Sequence, residues 1–600
     1  MPSIRARLAL LVLLAWMPPV ISRAGDQIFR HNYTEYPDTF VEVQSVFGAV
    51  AKQGSLPYRI TIRNHSGKDR VWTVKMGEGN FGRSLTTRAS FRIEVEEGAE
   101  VQREVILAFA PAFLAYDYRN LEITVSATGL AEEKRDHGEQ TPQDFPLLGI
   151  SKSLAQRSLT RLDDVVKNQN SSNPSFAKVF EPEQLPVDWL GYTGLDAVLL
   201  DEPAWRGLAA AQRQALVAWV RLGGRLDLYG ETAIDPTTLG LPFTETKARD
   251  GSRSLSLGIV KLSLWDGKEL PDSVVNFYRT LPQASQALER DFNNDWKLQS
   301  DFGTKEFNPI LVFILLLIFA ILVAPVNLFY LAKPGRRHRL FITTPIISVV
   351  TCLLIILVIL FIDGVGGKGT RVILADLQPG QGETRVYLSQ EQISRTGVML
   401  SSSFEADQPY DLNPVNLPES QFNPFSHSGQ RPSTYEISDG RFDGEFFRSR
   451  SEQGFAIRAV EPGRARIEYS GEENGIPVLI SNLSQEIVAL QYRDAKGTLW
   501  KSPDVTSVSP GGMIPLEKME KEVWPDWIRE TTERFSEARQ GRVKNLQSDR
   551  HRFFAQVRDP EAFALPTHPG LRWEKTRLLL TGTPAGGPVA ETTPQEPAAQ

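Results

Sequence analysis

Residues 308–369 read NPILVFILLLIFAILVAPVNLFYLAKPGRRHRLFITTPIISVVTCLLIILVILFIDGVGGKG. Two blocks in this stretch, Ile310–Ala332 and Leu340–Ile362, contain no Asp, Glu, Lys, Arg or His. Each is about 23 residues long, enough to cross a hydrocarbon core as a helix with some tilt. A buried helix of a soluble protein rarely stays uncharged for that length, so the stretch predicts a transmembrane hairpin. The loop between the blocks carries Lys333, Arg336, Arg337 and Arg339, which the positive-inside rule assigns to the cytoplasm. Pro325 and Pro345 lie near the cytoplasmic end of each span and are expected to kink the helices there. Asn327, Thr343 and Thr344 stand beside those kinks, placed to satisfy freed carbonyls or a neighbouring helix. The notch so formed suits either an ordinary kinked anchor or a docking point for another membrane subunit. An ion path through this hairpin alone is not expected, since no ionisable group lies within either span.

Working outward, residues 1–24 have the pattern of a secretory signal peptide. Arg5 and Arg7 precede the apolar run Leu8–Trp16, and Ser22-Arg23-Ala24 offers a small-x-small cleavage site. An exported start makes the first span run inward and the second outward. The expected location is therefore a bacterial inner membrane, with residues 25–308 and 364–600 both extracytoplasmic.

A chain of 600 residues suggests three or four domains. Its formal net charge of −6 is mild for that length and argues against a nucleic-acid footprint. The lone cysteine, Cys352, falls inside the second apolar block, which excludes an intrachain disulfide, a thiolate metal cluster and an exposed catalytic thiol. No cofactor is expected.

The fold class read from the chain is multidomain α/β plus all-β. Residues 25–130 alternate in short runs such as Tyr58–Arg63 and Leu121–Val125, separated by turn residues, and predict a β-sandwich. Ala131–Asp144 reads as a hydrophilic connector. Residues 144–270 alternate strand and helix signals, which predicts a parallel sheet packed by helices. Its strands are expected at Phe145–Ile150, Phe176–Phe180, Leu195–Leu200, Arg225–Tyr229 and Ser256–Leu264, with one helix from Trp205 to Leu222. Residues 271–308 read as a helical connector, 309–332 and 340–362 as the spans, and 333–339 as the loop. Residues 370–582 predict a C-terminal β-sandwich-like domain, with an irregular loop over 404–435 and a solvated helix near 526–554. Residues 583–600 are rich in Pro, Ala, Thr and Glu and read as a disordered tail.

The run W-x-G-Y-x-G-L-D-A-V-L-L from Trp189, followed by A-L-V-A-W-V-R-L-G-G-R-L from Ala215, resembles the class I glutamine amidotransferase-like fold. It is similar to versions embedded in bacterial envelope proteins, including auxiliary subunits that accompany some ABC transporters. The segments A-P-V-N-L-F-Y-L from Ala324 and T-P-I-I-S from Thr344 resemble a recurrent hairpin of such proteins. The matches cover about a third of the chain. Members with activity carry a cysteine nucleophile and a downstream histidine. This domain has no cysteine and no histidine between His137 and His338, so the resemblance implies a non-catalytic role. It also implies protein partners in the inner membrane or periplasm, among them transporter components, besides the lipid bilayer.

In parallel sheets of this kind a ligand binds beyond the carboxyl ends of the strands. That rule selects Ser151, Lys152, Asp201, Glu202, Gly230 and Glu231 as possible ligand-binding residues. The carboxylates there suit acid–base work or a cation, or are simply helix N-terminal acids favoured by the helix dipole. No metal site is assigned. Three functions follow as expectations: a non-enzymatic scaffold or partner-binding membrane protein, a small-ligand sensor, and a carboxylate-dependent hydrolase.

Overall fold

A computed structural model describes residues 26–80, 85–111, 113, 118–140, 145–167, 177–241, 243, 252–292, 295–303, 309–331, 334–380, 383–417, 434–438, 440–503, 507–520 and 523–586. The expected signal peptide, the loop residue Lys333 and the tail from residue 587 lie outside them.

The N-terminal strands form two facing sheets. One is antiparallel, in the order Gln27–Asn32, Phe40–Ser45, Gly54–Arg63, Glu100–Phe109. The other contains Leu85–Val95, Arg70–Asn80, Tyr118–Ala127 and Glu133–Gln140. Alternation places Tyr58, Ile60 and Ile62 in the core and leaves Arg59, Thr61 and Arg63 partly exposed, while Trp72 from the opposite sheet is fully buried. The supposed connector is in fact the edge strand Glu133–Gln140, paired with Tyr118–Ala127. Its charges conceal it: Lys134 pairs with Glu122 across the strands at 2.6 Å, and charged side chains suit a solvent-exposed edge.

The α/β sheet runs Ala177–Phe180, Leu148–Ser151, Ala197–Asp201, Arg225–Gly230, Gly258–Leu264, Ser252–Leu255, with only the last strand antiparallel. All five strands expected from sequence are present, displaced by at most three residues at either end. The helix expected over Trp205–Leu222 is two helices, Glu202–Gly207 and Ala210–Arg221. They divide where Leu208 and Ala209 turn extended, and the Gln212 side chain accepts the Ala209 N–H at 3.0 Å. The sandwich docks on this module through backbone. Gly54 has φ +68°, and a Cβ there would stand 2.3 Å from the Thr193 carbonyl oxygen. Beside it, the Gly194 N–H donates to the Ser55 carbonyl at 2.9 Å.

Three short helices, Asp272–Arg279, Ala284–Arg290 and Lys297–Phe302, lead to the apolar segment. The first long helix has α winding over Pro309–Ile321 and π winding over Leu322–Leu331, which contains Pro325. The second, Leu340–Asp363, continues as an α-helix through Pro345. At that early position the ring deprives only a carbonyl in the preceding turn of its partner. Both helices are long and apolar enough to cross a membrane, and almost none of either is buried. The Asn327 amide donates to Thr344 Oγ1 at 2.9 Å, and its carbonyl accepts from Thr343 Oγ1 at 2.6 Å.

Beyond the helices, a nine-stranded sheet is built around Gly367–Pro379 and Thr384–Thr396. Residues 369–378 are all buried, because the sheet is covered on both faces, so Thr370–Gln378 shows no alternation of exposure. One face carries apolar residues of Asp526–Thr532 and Glu537–Leu546 and of the link between them, notably Ile528, Phe535, Val543 and Leu546. This corrects the single solvated helix over 526–554. The chain there forms two short docked helices and then the strand Arg552–Val557.

The C-terminal β-domain shares a sheet with the N-terminal one. Tyr435–Ser438 pairs in parallel with Leu85–Val95, placing Tyr435 opposite Thr87 and Glu436 opposite Arg88. Arg441–Gly444 and Phe404–Glu405 then extend the same sheet. Chain from after the apolar helices thus completes a sheet begun before them. Part of the supposed loop over 404–435 forms strands: Phe404–Glu405 in this sheet and Asp411–Val415 at the edge of the nine-stranded one; residues 418–433 lie outside the described set.

Candidate functional site

The α/β topology brings the six residues selected from sequence to one rim. Chain order reverses between Leu148–Ser151 and Ala197–Asp201, which opens the crevice expected of such sheets. Ser151, Lys152, Asp201 and Glu202 each have local work there. Ser151 Oγ lies 3.1 Å from Ser153 Oγ, and Lys152 pairs with Glu181. Asp201 caps its helix, its Oδ1 accepting the Ala204 N–H at 3.0 Å. Glu202 takes two hydrogen bonds from Arg206, at 2.6 and 2.9 Å, one helical turn on. A Cβ on Gly230 would stand 2.7 Å from Ile234 Cγ1 and 3.0 Å from Glu202 Oε2, so glycine leaves room for both side chains. Glu231 is exposed beside Gly267. No group of three or more potential metal ligands occurs among the described residues.

Asp201→Ala is accordingly expected to cost about 1 kcal/mol, the value of a helix cap. Glu202→Gln is expected to cost no more than about 0.5 kcal/mol. Thermal unfolding of the two full-length variants checks this. A much larger loss, accompanied by release of a bound metal, would restore the rim as a site.

A buried polar group that sequence reading passed over lies inside the same sheet. Asp227, at the centre of Arg225–Gly230, accepts from Tyr278 Oη at 2.5 Å and pairs with Arg225 at 3.0 Å; Tyr278 Oη in turn lies 2.7 Å from Tyr229 Oη. Burial pushes its carboxyl above the usual range, against the pull of Arg225. The signal available was a carboxylate inside the apolar run Arg-Leu-Asp-Leu-Tyr. This group ties the helix Asp272–Arg279 to the sheet.

Two cavities stand out; the larger, about 290 Å³, opens between the sandwich edge strand Glu100–Phe109 and chain from beyond the apolar helices. Tyr410, Phe442 and Phe446 give it an aromatic wall, in which Tyr410 and Phe442 stack at 5.0 Å. Glu104 and Asp188 stand at its polar side, both carboxyls pushed up by burial. The smaller, about 120 Å³, lies where the α/β module meets the nine-stranded sheet. Arg539 there pairs with Glu391 at 2.7 Å, and Arg542 donates to the Gly223 carbonyl at 2.8 Å. Arg542 is pulled down to about 10 by burial and by Arg539 and Arg458. The Arg542 side chain lies in an open recess and stays exposed to solvent.

No family model matches this chain, and no curated protein matches it. Chemistry must therefore be read from the cavities themselves. No histidine or cysteine lines either one among the described residues. The aromatic cleft suits apolar side chains, and in the smaller recess Arg542 joins the modules through its hydrogen bond to the Gly223 carbonyl.

Proposed function

We propose that this chain is a non-enzymatic membrane protein whose folded modules stand together on the extracytoplasmic side of a bacterial inner membrane, as a scaffold or partner-binding surface. The observation that carries the reading is the sheet shared by Leu85–Val95 and Tyr435–Ser438. Strands from before and after the two apolar helices can meet only on one side of a bilayer, so the helices must cross an even number of times. Basic residues between the helices support a cytoplasmic loop. The helix-capping and paired roles of Asp201 and Glu202 support a non-catalytic α/β module, as the amidotransferase-like resemblance implies. Its aromatic cleft is the surface on which a periplasmic or membrane partner, such as a transporter component, would dock.

Affinity purification of the tagged full chain from native membranes in mild detergent tests this reading. A stoichiometric partner lost on Tyr410→Ala is expected. Recovery of the protein alone under those conditions would count against a scaffold. The cleft volume also favours a second reading, a small-ligand sensor, which predicts a ligand-induced melting shift that the same substitution abolishes.

A further inference from the structure

The nine-stranded sheet has a near end and a far end with respect to the apolar helices. Gly367–Pro379 begins four residues after Asp363, where the second helix stops, so Gly367 marks the near end. Its register puts Thr396 and Leu571 at that same end. The first helix is rooted there too, since Arg395 donates to the Gly303 carbonyl at 2.7 Å, just before the apolar segment.

One loop at the near end, Gly397–Ser403, is tied directly to the helix root. The Val398 N–H donates to the Gly364 carbonyl at 3.0 Å, the Gly366 N–H returns a bond to the Val398 carbonyl at 3.0 Å, and the Gly397 N–H donates to the Gly366 carbonyl at 2.7 Å. Ser449 Oγ accepts the Met399 N–H at 2.9 Å from the adjoining turn. These bonds hold Leu400 out from the body. It is 89% exposed, more than any other large apolar residue described, including Phe341 of the apolar helix at 85%. Val365, bridged to Val398 and 66% exposed, adjoins it. At the same level Arg572, whose side chain is 83% exposed, lies opposite Lys368; they share Glu574, at 4.0 and 3.1 Å, leaving one net positive charge there.

A single exposed leucine on a protein surface is ordinary. This one sits on a loop hydrogen-bonded to Gly364 and Gly366 at the root of the second helix, and both helices are apolar and bare. We propose that Leu400 and Val365 form a second membrane contact, inserting into the headgroup–acyl boundary beside the hairpin and fixing the angle at which the body stands on the bilayer. Apolar side chains flanked by cations are the pattern that binds this interface. The inference rests on the hairpin reading and adds to it a contact that crosses nothing.

Its test uses the full chain carrying Cys352→Ser, reconstituted in phosphatidylethanolamine–phosphatidylglycerol vesicles, with a nitroxide attached to one cysteine at a time. The positions are Leu400→Cys, Ile346→Cys in the second helix, and Met513→Cys. Met513 belongs to the sheet that meets Ala585, beyond the far end of Leu571–Gly582, roughly 40 Å along the strands from Leu571. Collision with oxygen relative to a water-soluble nickel chelate is expected to be about threefold or more higher at Leu400 than at Met513. A Leu400 value equal to that of Met513, with Ile346 lipid-exposed, would overturn the second contact and leave the hairpin standing. An Ile346 value equal to that of Met513 would overturn both.

Discussion

Arg552→Met is expected to destabilise the folded body by about 3–5 kcal/mol, the cost of leaving buried charges without their partner. Arg552 is 1% exposed and pairs with both Asp376 and Asp549 at 3.1 Å. Asp376 lies on the central strand of the nine-stranded sheet and also takes a hydrogen bond from Ser256 of the α/β module, whose hydroxyl in turn accepts from Arg221 at 2.8 Å. One cation thus holds together two carboxylates at a junction between modules. Burial pushes the Asp376 carboxyl up, but Arg552 and Arg221 outweigh it and hold the group below its ordinary 3.8. A depressed carboxyl contributes stability above its unfolded value and loses it as pH falls through the folded one. The wild-type contribution from Asp376 is therefore complete at neutral pH and fades only below 3.8. In Arg552→Met the same carboxyls lose their cation and favour protonation, so the deficit should shrink as pH is lowered from 7 toward 4. Denaturant unfolding in detergent at several pH values measures this. The triple variant Arg552→Met, Asp376→Asn, Asp549→Asn should recover most of the loss. A deficit that is independent of pH and is not recovered would show that the ion pairs are not what Arg552 provides.

Deleting residues 340–363 is expected to abolish the native body outright. With one crossing instead of two, residues 364–586 would emerge on the opposite side of the membrane from the sandwich. Tyr435–Ser438 could no longer pair with Leu85–Val95, and Asp376 could not reach Ser256. Replacement of the deleted helix by an unrelated polyleucine segment of equal length should restore folding, because only the crossing is required. Limited proteolysis of membranes reads the outcome as loss and return of a resistant core. A resistant core that survives the deletion would refute the even-crossing arrangement.

Whether an element could be read from the sequence depended on how local its cause was. The five parallel strands were legible because short apolar runs bounded by Gly, Pro and Asp signal buried strands without knowledge of their neighbours. The helix-capping role of Asp201 was equally local, since Asp-Glu-Pro is itself a helix start. Glu133–Gln140 was not legible, because an edge strand whose pairs are charged carries no apolar alternation. The buried stripe of Phe535, Val543 and Leu546 was hidden for a similar reason, under alternating Arg and Glu.

The six residues picked at the carboxyl ends of the predicted strands lie on one rim, while their partners depend on which strands are neighbours, which periodicity does not specify. Lys152 meets Glu181 at the ends of the neighbouring strands Leu148–Ser151 and Ala177–Phe180, and Gly230 leaves room for Ile234 and Glu202. The aromatic cleft could not be foreseen at all. Its walls come from Glu100–Phe109 and from residues beyond 409, and nothing in either segment announces the other.

By itself the sequence determined the apolar pair of helices, the basic loop between them and the strand–helix alternation of the middle module, because hydrophobic length and periodicity act within a few turns of chain. Only the tertiary structure decided that the modules before and after the helices are one body. That outcome rests on backbone pairing between residues such as Thr87 and Tyr435, and hydrogen bonds of that kind are indifferent to side-chain identity, so they leave no signature in the segments they join.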